Sequence, residues 1–74
     1  MAKAKYITDF ERDCIRIGVA AGATDAAIGR FLGRNKMAVG NHHKAMAAAG
    51  TLDNLPLAFV TDEIGRSILR HEVR

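Results

Sequence analysis

TDAAIGRFLGRNKMAVGNHHKAMAAA, residues 24–49, decides how this chain is read. Thr24 has the side chain of a helix N-cap, and Asp25 follows it where a carboxylate favours the positive end of the helix dipole. Ala27, Ile28, Phe31 and Leu32 then recur at helical spacing and define one apolar stripe. Gly33 supplies the left-handed backbone that lets the chain leave one helix and enter another within a few residues. Asn35 is a second cap. The helix after it should bury Val39 and Met46 and expose Lys36, Gly40, Asn41 and Lys44. The expected helices are therefore about residues 25–32 and 36–49, with Gly50 as the stop of the second.

Working outward, Thr8 and Glu11 have the spacing of a capping box, in which each side chain satisfies the other residue's backbone N–H. They begin a helix that places Phe10, Cys14, Ile17 and Ala21 on one face and ends at Gly22. This helix should pack across the other two. Beyond Gly50 two readings compete. In one, Thr51-Leu52 and Leu57-Ala58-Phe59-Val60 pair across the turn-forming Asp53-Asn54-Leu55-Pro56 as a β-hairpin. Thr61 then caps a helix over residues 62–71. In the other, Pro56 opens a longer helix with Leu57, Val60, Ile64 and Ile68 on one side. The hairpin is favoured here, because AFVT is poor helix-forming sequence and a capping residue follows it. The expected fold is mostly α: a three-helix core plus a C-terminal helix, with a short hairpin between them.

A chain of 74 residues with 49% hydrophobic and 26% charged residues is one small globular domain. Residues 1–7 read as a flexible basic arm and residues 8–74 as the domain. Aromatic residues are few, so the core is expected from aliphatic side chains around Phe10, Phe31 and Phe59. A single cysteine, Cys14, makes no internal disulfide and fits a reducing cytoplasm. No apolar run is long enough for a membrane span. Net charge is only +3, but its distribution is uneven. No Asp or Glu occurs between Ala26 and Leu52, whereas Arg30, Arg34, Lys36 and Lys44 do, with His42 and His43. That segregation points to a polyanionic partner for the central segment.

Residues 24–44 resemble the helix-turn-helix of bacterial and phage regulators: Ile28-Gly29 gives the small residue after an apolar one, Gly33 the turn and Val39 the buried position of the second helix. The resemblance implies a second helix that enters the DNA major groove. Downstream, AAAGTL and FVTDEIGRSIL resemble the end of a winged helix-turn-helix of the multiple-antibiotic-resistance regulator type, with Thr61, Asp62, Gly65 and Arg66 at the helix start. Two departures stand out. The wing tip would be Asp53-Asn54-Leu55-Pro56, which offers phosphate no cation, and His42 stands where an apolar residue normally packs.

The residues assigned to DNA contact are Arg34, Asn35, Lys36, Met37, Gly40, Asn41, His43 and Lys44. Asn41 is the candidate base reader, since its amide can pair bidentately with adenine. Arg34, Lys36 and Lys44 suit phosphate, as does Arg30 with less support. Gly40 permits close approach to a base or sugar; its plain reading is a costly helix residue. No cofactor, metal or catalytic constellation is expected. Adjacent helical residues such as His42 and His43 diverge by about 100°, so they do not converge on one ion. Cys14, on an apolar stripe, reads as a buried and inert thiol. The expected activity is sequence-specific binding of double-stranded DNA by a small regulator, without enzymatic chemistry. A homodimer through Ile64, Ile68 and Leu69 and a protein partner in the transcription machinery are expected besides. The alternatives are a packaging or architectural DNA-binding protein, such as the small subunit of a phage terminase, and a protein-interaction module of inhibitor or adaptor type.

Overall fold

The computed structural model describes residues 7–72, and their regular structure is entirely helical: α1 (Asp9–Ala20), α2 (Asp25–Leu32), α3 (Lys36–Ala49) and α4 (Ala58–Leu69). Of the arm expected over residues 1–7, all but Ile7 lies outside the described residues, and Ile7 packs against the core. Helix α1 starts on the expected capping box. The Glu11 N–H donates to Thr8 Oγ1 at 3.2 Å, and the Thr8 N–H donates to Glu11 Oε1 at 3.0 Å. Thr24 caps α2 through the Ala27 N–H, and Asn35 caps α3 through the Met37 N–H.

Helix α1 touches each of the other three helices, and α2 also touches α3 and α4. The shared core is Cys14, Ile15 and Ile17 of α1, Ala27, Ile28 and Leu32 of α2, Val39 and Met46 of α3, and Ile68 of α4. Two expected core aromatics are instead outside it: Phe10 is 59% exposed and Phe59 68%. Both stand in the opening turn of a helix. Ile15, which the one-face reading of α1 omitted, is fully buried because α1 is covered from several directions. Ala21 is exposed, where that reading had put it on the buried face.

The hairpin is not there. No strand occurs among the described residues, so the winged architecture is overturned. The Thr51 carbonyl, which a hairpin would pair with another strand, accepts instead from Arg16 Nε of α1 at 2.9 Å. The next residues close tight turns, with the Asn54 N–H on the Thr51 carbonyl and the Leu55 N–H on the Asp53 carbonyl. Pro56 adds no donor. Helix α4 then begins at Ala58 with Leu57 as N-cap and no side-chain cap. Thr61 is not a cap: its hydroxyl donates back to the Pro56 carbonyl from inside the helix. The longer-helix reading was nearer: Ile68 lies in the core and Ile64 packs against it, while Val60 is half-buried and Leu57 exposed.

Candidate nucleic-acid interface

The α2–α3 connection is short because two glycines allow it. Gly33 takes φ 69° and ψ 34° and caps α2 in the left-handed conformation. Gly29, one turn earlier, lies against the connection itself: a Cβ built there would stand 2.7 Å from the Arg34 carbonyl oxygen. The Arg34 N–H donates to the Gly29 carbonyl at 2.9 Å, which holds the backbone in that close approach. Any side chain at residue 29 pushes the two helices apart. The geometry of the α2–α3 pair therefore depends on residue 29 having none.

With α2 and α3 so placed, the outer side of α3 forms a shallow groove of about 300 Å³ lined by Asp25, Lys36, Met37, Gly40, Asn41 and Lys44. Five of the eight expected contact residues meet there: Lys36, Met37, Gly40, Asn41 and Lys44. Lys36, Asn41 and Lys44 are exposed, and Met37 is 71% exposed. Neither lysine has an ion pair among the described residues. Lys36 is also the first residue of α3, where the positive end of the helix dipole disfavours a cation by roughly 0.3–1 kcal/mol. No acid stands in that first turn to offset it. The first turn of α3 therefore carries a cation with no acid of its own helix beside it.

The remaining three are held differently. Asn35 is exposed, and its side-chain oxygen accepts from the Met37 N–H at 2.8 Å as the cap. His43 is half-buried, with Nδ1 3.1 Å from Asp25 Oδ1. Arg34 turns away from the groove and into the fold. Its Nε donates to Glu11 Oε2 at 2.7 Å and its Nη2 to Glu11 Oε1 at 2.9 Å, in the two-point geometry of a charge-assisted pair. Its side chain is 13% exposed. The Arg34 hydrogen bonds, helped by the capping bonds from Thr8, hold Glu11 down to about 2, against the opposing effect of burial. The pair raises Arg34 in turn. Arg34 thus ties the α2–α3 connection to α1.

Arg30 is also committed elsewhere, its Nε donating to the His71 carbonyl at 2.8 Å. The adjacent C-terminal residues bind α2 a second time, where Glu72 Oε1 accepts from the Thr24 N–H at 2.7 Å. Cys14 is fully buried, and burial pushes its thiol up to about 11, which keeps it protonated and unreactive at neutral pH. Ile68 lies wholly in the core and Ile64 partly, so the apolar side assigned to a homodimer is mostly interior; Leu69 alone of the three is exposed. Among the described residues no group of three or more His, Cys, Asp or Glu is arranged to hold a metal, and no helix is long and apolar enough to cross a membrane.

Sequence reasoning missed Asp25 as a groove residue, having read it only as a partner for the α2 dipole. Its carboxylate reaches α3 because α2 and α3 are tightly joined, and no local pattern signals that. No family model, curated protein or solved structure matches the chain.

Proposed function

We propose that this chain is a helix-turn-helix protein that binds double-stranded DNA sequence-specifically, with the outer side of α3 in the major groove, and acts as a small transcription regulator in a cytoplasm. The observation that carries the reading is the composition of that side: two unpaired lysines, an exposed amide and a residue without a side chain, on a helix that opens with a cation. Such a face is poorly arranged for stability and well arranged for a polyanion, a conflict that natural sequences accept where they bind something. Lys36 and Lys44 hold phosphates and position the helix; Asn41 reads a base edge. Arg34 is left out of that contact, since its guanidinium is held by Glu11 within the fold. Regulation is by occupancy of the site and needs no chemistry.

Selection of duplex sites from a random pool, followed by binding assays on the winner, tests this reading. A preferred site should emerge, and Asn41→Ala should cost about 1–3 kcal/mol on it while relaxing choice at one base position. Salt-sensitive binding without any preferred site would turn the reading toward an architectural role. Absence of binding at low salt would leave a protein-interaction module.

A further inference from the structure

We propose that duplex binding through α3 takes up a proton at His43, with Asp25 as the residue that makes the uptake matter. The inference rests on the DNA reading above and adds a pH response to the same face. Asp25 supplies the carboxylate of a groove otherwise lined by Lys36, Met37, Gly40, Asn41 and Lys44. Its Oδ1 is 3.1 Å from His43 Nδ1, and its Oδ2 is 3.4 Å from where a Cβ on Gly40 would stand. Both side chains remain about a third exposed, so solvent and a bound polyanion reach them.

The two protonation states of the pair present different surfaces. With neutral imidazole, Nδ1–H donates to Asp25, Nε2 is an acceptor, and the pair keeps the full negative charge of the carboxylate. That charge faces a phosphate backbone. With imidazolium, the pair is neutral and Nε2 becomes a donor. One proton therefore removes a repulsion and converts an acceptor into a group that can donate to phosphate oxygen. DNA selects the protonated pair, and by linkage low pH strengthens binding.

The other charged groups around the pair are Lys36 and Lys44 on α3 and Glu72, which accepts from the Thr24 N–H one residue before Asp25. None is of a residue type that ordinarily titrates between about pH 5 and 8. The other two histidines lie elsewhere: His42 points about 100° away on the same helix, and His71 packs edge-on against Phe31 with ring centroids 5.9 Å apart.

The test is the affinity of the full chain for its selected duplex between about pH 6 and 8, at constant ionic strength. The expected result is an affinity that falls about five- to tenfold across that range, within the limit set by one proton. His43→Gln should flatten the profile, and Asp25→Asn should bind more tightly than the unmodified chain near pH 8. His42→Gln and His71→Gln should keep the dependence. A flat profile in the unmodified chain, a dependence that survives His43→Gln, or weaker binding by Asp25→Asn near pH 8 would overturn the proton uptake and leave DNA binding standing. Failure to bind any duplex at low salt across the whole range would overturn the DNA reading itself. Circular dichroism of each variant separates loss of fold from loss of contact.

Discussion

Around α1, arginines meet carboxylates. Arg12 pairs with Asp9 and Arg16 with Asp13 along the helix, and Arg34 comes from beyond α2 to reach Glu11. On the outer side of α3, Lys36 and Lys44 have no such partner among the described residues, and the nearest acid in their groove is engaged by His43. The first set of charges is paired within the fold, and the second is unpaired and open to solvent. Surface pairs such as Arg12–Asp9 add little, about 0–1 kcal/mol. The Glu11–Arg34 pair differs because both side chains are nearly enclosed and the carboxylate also belongs to a cap. Removing Arg34 there leaves the enclosed Glu11 carboxylate without its cation. Removing a lysine from α3 leaves nothing unsatisfied. The contrast teaches that charge on this molecule divides by purpose: some cations assemble it, and others are kept for a partner.

The most damaging way to break this comparison is to destroy the support that both regions share. Val39 is fully buried beneath the exposed side of α3. Val39→Asp places an unpaired charge in the core, which costs several kcal/mol in a domain whose whole stability is on the order of 5–15 kcal/mol. Circular dichroism and thermal melting should report an unfolded chain. A cooperative melt near that of the unmodified protein would mean that α3 is rotated from the orientation described.

Acid sharpens the comparison through Glu11, the most enclosed of the paired carboxylates. Because Glu11 is held to about 2 in the fold against an ordinary value of 4.5, its stabilisation is complete above about pH 4.5 and is lost as the pH falls through about 2. The melting temperature should fall across that window, and Glu11→Gln should start lower at neutral pH and show a shallower acid limb. An unchanged acid limb in Glu11→Gln would remove Glu11 from this role.

The smallest effect is expected on the open side. Lys36→Ala and Lys44→Ala should each leave stability within about 0.5 kcal/mol of the unmodified chain, measured by urea unfolding. Lys36→Ala should fall on the stabilising side, because the α3 dipole no longer opposes a cation. A clear loss of stability in either variant would assign these lysines to the fold.

What could be read along the chain was local. Thr8 with Glu11, Thr24 with Ala27 and Asn35 with Met37 are caps within two or three residues, and Gly33 terminates α2 by its own backbone freedom. These features located the starts of α1, α2 and α3 and the end of α2 to the residue; α1 ends at Ala20, short of the Ala21 expected on its buried face. The hairpin was misread because Thr61-Asp62 looks like a cap and Asp53-Asn54 like a hairpin turn. The competing contact comes from Arg16, 35 residues away, which takes the Thr51 carbonyl. The same limit applies to the interface. Its lysines and Asn41 follow from helical spacing, but the commitment of Arg34 spans 23 residues and that of His43 spans 18. Such pairings are set by how the helices pack, and no spacing rule encodes them.

The central claim is that the open cations of α3 meet phosphate, and the salt dependence of duplex binding tests it most directly. With Lys36 and Lys44 each displacing counterions at roughly 0.9 per contact, a plot of log affinity against log salt, measured near pH 8, should have a slope of about −2. Replacing both lysines with alanine should bring that slope close to zero without unfolding the domain. A slope near zero in the unmodified chain, or an undiminished slope after both replacements, would contradict the account.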